Sequence, residues 1–273
     1  MISLDEVKRR AAQAGVGVDT IEIDYVLGWF LWGLSQSNVF KECFIFKGGT
    51  ALRKVYLQAD FRYSEDLDFT MSKALREETL EEELKASCVR ISRQTGMELE
   101  LGRFKKSRDQ IGEEAYRAKI SFVGPQRRSN VRWPNLDITR YEILVLEPRE
   151  LPVFHPYSDN MKANVLTYPL EEILAEKLRT LLTRPWARHF YDVWYLFKSH
   201  ADKIDLNEAI EVFHRKREYK GIQFSGVSDF LDSSRLATAK GGWNASLRNV
   251  MRDIPPFDQV VNEMRIFLES LFA

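Results

Sequence analysis

The sequence predicts an α+β fold, with a strand-bearing N-terminal domain over residues 1–165 and a helical C-terminal domain over residues 166–273. Three observations point there. Short apolar or alternating runs crowd residues 43–146, punctuated by glycine and proline. A connector carrying Pro148, Pro152, Pro156 and Pro169 follows. Beyond Pro169 the apolar residues recur at helical spacing.

In chain order, two helices fill the first forty residues. The second carries Ile21, Ile23, Val26, Leu27, Phe30, Leu31 and Leu34, so it is apolar nearly all round, with Asp19 or Thr20 as its cap. Residues 43–46 read as a buried strand, residues 50–57 as a helix after Gly48 and Gly49, and residues 66–71 as the next strand. A helix over residues 75–94 starts with Glu77, Glu78, Glu81, Glu82 and Glu83, which suit a positive helix N-terminus. Residues 97–146 have the alternation of a β-meander. Helices are predicted over residues 170–183, 188–199, 207–219 and 257–272.

Composition excludes some classes. Forty basic residues balance forty acidic ones, so no global field draws in a polyanion, and any such partner needs a local patch. Cys43 and Cys88 are too few for a disulfide framework and fit a reducing compartment. The histidines at 155, 189, 200 and 214 show no zinc spacing. The apolar run over residues 25–34 is too short to span a bilayer. The expectation is a cytoplasmic monomer without a membrane partner.

Two groups of residues carry chemistry. In the first, "KGGT" places Lys47, Gly48, Gly49 and Thr50 between a strand and a helix. Glycine allows close backbone approach, and a helix start offers unpaired N–H groups to phosphate. Downstream, "SEDLDF" puts Asp66 and Asp68 two apart on a strand, hence on one face. At about 4 Å two such charges repel by roughly 4 kcal/mol at an effective dielectric near 20. A divalent cation such as Mg²⁺ relieves that cost, and so does solvation at an exposed strand end. Asp137, in "NLDIT", joins them if its strand neighbours theirs; otherwise it is an acid on an outer face.

The second group lies in the helical part. On residues 170–183, Leu170, Ile173, Leu174, Leu178 and Leu181 form an apolar stripe, with Glu172, Glu176 and Arg179 on the opposite side. Lys177 falls inside the stripe, which calls for a partner or a ligand. Asp192 is the one acid of the aromatic run "RHFYDVWYLF" and is expensive there unless paired, with Lys177 or Arg188 as partner. Basic runs at residues 103–108, 127–132 and 214–220 are candidate phosphate contacts or solvated faces.

Together "FKGGTALRK", "RYSEDLDF", "LDIT", "YPLEEILAEKLRTLLTR" and "RHFYDVWYLF" resemble the AbiEii/AbiGii nucleotidyltransferase toxins, including the MenT group, over residues from about 44 to 199. The resemblance implies a DNA polymerase β-like nucleotidyltransferase core. It also implies NMP transfer from an NTP to RNA, the 3′ end of tRNA above all, with a cognate antitoxin encoded nearby. By resemblance Gly48, Gly49 and Thr50 hold the triphosphate, and Asp66, Asp68 and Asp137 the metal. Lys177 and Asp192 are catalytic by the same likeness, and Ser64 matches a serine important in such toxins. The chain departs from the pattern at Arg188 and His189, where many relatives have Arg-Asp. Two rival readings are a metal-dependent glycosyltransferase using the DxD pair and an NTP-binding module without turnover.

Overall fold

The computed structural model describes residues 1–108, 114–128 and 134–272. The chain packs as two units, residues 1–144 with 148–168 and residues 145–147 with 169–273.

The first unit opens with α1 (Leu4–Ala14), whose Ser3 cap accepts the Glu6 N–H and whose end is closed by Gly15 in the left-handed region. In α2 (Val18–Ser35) almost every side chain is buried. Its cap is Gly17, two residues before Asp19 and three before Thr20, which leaves Asp19 in the first turn against the positive helix end. A short α3 (Asn38–Cys43), capped by Ser37, leads into β1 (Phe44–Lys47). Then come α4 (Gly48–Ala51), a π-helical turn (Leu52–Tyr56) and β2 (Leu67–Met71). α5 (Glu77–Thr95) precedes β3 (Glu98–Arg108), β4 (Glu114–Val123) and β5 (Asn135–Thr139).

β3, β4 and β5 form the expected antiparallel meander, but it stops at Thr139 rather than residue 146. The supposed connector instead supplies β6 (Arg149–Pro152) and β7 (Asn164–Thr167). Pro152 is the last residue of β6. It is tolerated because β6 lies at the sheet edge, where a missing N–H costs no ladder bond. Among the described residues seven strands make one sheet in the order β3-β4-β5-β2-β1-β7-β6. The pairs β2–β5 and β1–β7 are parallel. β1 and β2 are central, so Phe44, Phe46, Leu67 and Phe69 sit deep in the core.

The second unit holds α6 (Leu170–Thr183), α7 (Ala187–His200), α8 (Leu206–Tyr219), α9 (Ser233–Leu247) and α10 (Phe257–Leu271). The periodicity missed α9 because its buried stripe is narrow, Ala239, Trp243 and Leu247, and Gly241 and Gly242 interrupt it. Its start is well marked: the Asp232 carboxylate accepts the N–H groups of Ser234 and Arg235. Among the described residues no helix is long and apolar enough to cross a membrane.

Candidate active site

Strand alternation sets the first group of acids. Leu67 and Phe69 enter the core, so Asp68 between them projects from the other face of β2. Its register partners are Lys47 on β1 and Asp137 on β5, and Asp137 is in turn opposite Arg117 on β4. Lys105 of β3 faces Arg117. The result is a cross-strand row: Lys105, Arg117, Asp137, Asp68, Lys47. Asp66 precedes β2 and is held beside the row by Asn135, whose side-chain amide donates to Oδ1 at 2.8 Å.

Arg117 holds the row's outer acid. Its Nε lies 2.5 Å from Oδ1 of Asp137. The hydrogen bond and charge of Asp137 push the guanidinium's pKa above its usual range, with Asp66 and Asp68 adding to the effect. Directly opposed like charges such as Asp68 and Asp137 destabilise a sheet, and the flanking cations offset that.

Position 48 strongly favours glycine. Its φ is +80°, and a β-carbon there would lie 2.5 Å from Oδ2 of Asp68. The same turn is latched to the acid segment by Thr50, whose hydroxyl donates to the Asp66 carbonyl. Lys47 is buried, with Nζ 5.6 Å from the Tyr168 ring centroid. Ser64 is 6% exposed, and its hydroxyl finds no hydrogen-bond partner among the described residues.

The basic half of "KGGTALRK" serves the core. The π turn, closed by the Leu57 N–H on the Leu52 carbonyl, lets the consecutive Arg53 and Lys54 both reach Asp24 of α2. Lys54 Nζ is 2.7 Å and Arg53 Nε 3.1 Å from its oxygens, and Tyr157 donates to it at 2.8 Å. Burial raises the Asp24 carboxyl, but Lys54 and Arg53 outweigh it and bring its pKa down to about 2. Arg53 also donates to the carbonyls of Gln58 and Phe61, which fixes the approach to Asp66.

In the second unit Lys177 Nζ donates to Asp192 at 2.7 Å, with Asp192 fully buried and Lys177 8% exposed. Arg188 Nε donates to the Ser246 carbonyl. The opposite side of α6 is not a solvent face. Glu172 is fully buried, ion-paired to Lys216 at 2.9 Å and accepting the N–H groups of Val145 and Leu146, and Arg179 is 8% exposed. Helical packing on both sides of α6 overrides its amphipathic pattern.

The basic runs divide. Arg103, Lys105, Lys106 and Arg108 are exposed on β3, with Lys106 paired to Glu114. Arg127 and Arg128 are exposed, and Arg132 lies outside the described residues. The run over residues 214–220 is not a patch, because Lys216 and Lys220 are buried. Among the described residues no three His, Cys, Asp or Glu side chains come together closely enough to hold a metal ion by themselves. Arg117, Asn135 and Asp24 were not singled out from the sequence. The alternation of "EAYRAKISFV" puts Arg117 and Lys119 on its polar face, a signal that becomes readable only once β4 is placed beside β5.

The model of the family described as nucleotidyl transferase AbiEii toxin, type IV toxin–antitoxin system, matches residues 29–263. Among solved structures, the chain is similar to MenT4, a nucleotidyltransferase toxin from Mycobacterium tuberculosis H37Rv. The TM-score is 0.74 at 20% identity, covering 99% of this chain and 90% of that one. At that identity the likeness speaks for the fold. No curated protein matches the sequence.

Proposed function

The chain belongs to the AbiEii family of nucleotidyltransferase toxins of type IV toxin–antitoxin systems, and from that premise we propose that it transfers NMP from an NTP to RNA, at the 3′ end of tRNA. As a toxin of such a system it has an antitoxin partner. Family membership sets the glycosyltransferase reading aside. The observation that carries the proposal is the packing of Gly48 onto Asp68 within the cross-strand row, which brings a phosphate-type turn and an acid pair into contact.

The residues fit a hard divalent cation. Asp66 and Asp68 offer carboxylate oxygens, and Ser64, two residues before Asp66 in the chain, has a buried hydroxyl with no hydrogen-bond partner among the described residues. Mg²⁺ characteristically uses one or two carboxylates plus substrate phosphates rather than a protein cage. Asp66 and Asp68 would hold it, with Asp137 as the third acid, and its charge would neutralise the triphosphate and the leaving pyrophosphate.

In the proposed step the acceptor hydroxyl oxygen bonds to the α-phosphorus and the bond from that phosphorus to the β-bridging oxygen breaks. Pyrophosphate leaves, and the hydroxyl proton passes to a carboxylate, assigned to Asp137. Gly48, Gly49 and Thr50 bind the phosphates through the backbone, and Lys47 adds charge. Lys177 and Asp192 enter through the family resemblance, Lys177 as a cation for phosphate charge and Asp192 as the group that orients it.

The test is incubation with Mg²⁺, each labelled NTP in turn and total cellular RNA, beside Asp66→Ala. Label in RNA with one NTP, absent in the variant, supports the reading. No labelled RNA with any NTP overturns it. Label entering protein keeps the chemistry and changes the acceptor.

A further inference from the structure

The acids of the proposed site already have a resident cation. Arg117 reaches Asp137 from the adjacent strand, where the two are direct register partners, and binds its carboxylate at 2.5 Å. This contact is built to be broken. The Arg117 side chain is 50% exposed and that of Asp137 35% exposed. Exposed pairs of this kind contribute little to stability. The Asp24–Lys54 pair, at 2% and 0%, is by contrast a fixed element of the core. Lys105 sits directly opposite Arg117 on its other side, so repulsion favours Arg117 leaning toward the acids. A cation that takes Oδ1 of Asp137 has to displace the guanidinium, which binds that oxygen. Once displaced, a guanidinium offers a planar fork of donors that matches a phosphate.

We propose that Arg117 is an exchangeable cation of the site: it covers Asp137 in the free protein and passes to a substrate phosphate when a divalent cation takes that carboxylate. This assigns Arg117 as a positioning residue coupling metal and nucleotide binding, and it rests on the nucleotidyl-transfer reading above.

The test is direct binding, without turnover. Mn²⁺ affinity is measured from the free-ion electron paramagnetic resonance signal, and affinity for an NTP with a non-hydrolysable α,β linkage by calorimetry. The proteins are the unaltered chain, Arg117→Gln and Lys119→Gln, each checked for folding by circular dichroism. Lys119 is the matched control, an exposed cation two residues along β4 opposite Asn135. Without nucleotide, Arg117→Gln is expected to bind Mn²⁺ roughly fivefold more tightly, from relief of a surface pair. With Mn²⁺ present it is expected to bind the NTP analogue several-fold more weakly, while Lys119→Gln changes neither beyond about twofold. Unchanged Mn²⁺ affinity in Arg117→Gln, or an equal gain in Lys119→Gln, overturns the inference. Tighter Mn²⁺ without weaker nucleotide also overturns it, by removing the exchange. Failure of the unaltered chain to bind Mn²⁺ even with nucleotide overturns the nucleotidyl-transfer reading along with it.

Discussion

Gly48 and Asp68 touch so closely that a single added methyl on the glycine would lie 2.5 Å from a carboxylate oxygen. Gly48→Ala therefore faces two costs, a left-handed backbone and a displaced Asp68. Gly96 isolates the first, since its φ is +73° with open space where a β-carbon would go. Gly96→Ala is expected to lower stability by about 1 kcal/mol and leave NMP transfer intact. Gly48→Ala is expected to cost roughly 100-fold in transfer rate through misplacement of Asp68. Urea melts and labelled-NTP assays on both variants decide. Equal activity in the two would show that the contact has no catalytic weight.

Asp24 makes stability acid-sensitive. Its folded pKa, about 2, lies below the reference value of 3.8, so its contribution is present above pH 3.8 and is lost as pH falls toward 2. The gap corresponds to a contribution on the order of 2 kcal/mol. Asp24→Asn is expected to flatten that part of the stability–pH curve. At neutral pH it should destabilise by about 3–5 kcal/mol, because Lys54 and Arg53 are left buried without their counter-charge. Denaturant midpoints from pH 7 to pH 2 measure both effects.

Lys177 and Asp192 form a buried pair, so Lys177→Ala removes the ion-pair partner of a fully buried carboxylate and is expected to cost about 3–5 kcal/mol. The double variant Lys177→Met, Asp192→Leu replaces both charges with apolar groups of similar size and is expected to recover most of that stability. If Lys177 also serves the triphosphate, NMP transfer stays lost in the refolded double variant. Recovered transfer would make the pair purely structural.

Ser64→Ala removes a buried hydroxyl with no partner among the described residues. Thermal unfolding is expected to show no loss of stability and up to about 1 kcal/mol of gain. A fall in NTP affinity in the same variant would identify the group that hydroxyl meets. A clear loss of stability would instead mean that it already has a bond within the fold.

Much of this molecule was readable in one dimension. The ends of α6 follow from strong apolar periodicity after Pro169, and β1 and β2 from short apolar runs beside glycine and acid. What failed to show were properties of pairing. Glu172 looked like a surface acid because its partner, Lys216, is 44 residues away. Arg117 looked like one more surface charge because its meaning comes from standing opposite Asp137. Arg53 and Lys54 follow the glycine turn with nothing local to mark their role, and one extra residue in a π turn points both inward, onto Asp24. β6 was hidden by a proline that only an edge strand accepts.

The cross-strand row also bears on how a ligand arrives. Three cations, Lys105, Arg117 and Lys47, share it with the acids Asp137 and Asp68, and Asp66 beside the row brings the balance to three of each sign. Seen from beyond a Debye length of about 10 Å, such a row has little negative field. An anionic nucleotide therefore meets no long-range barrier from the carboxylates that would later serve it. Selection falls to the last few ångströms, and the rate of nucleotide encounter should change little with ionic strength.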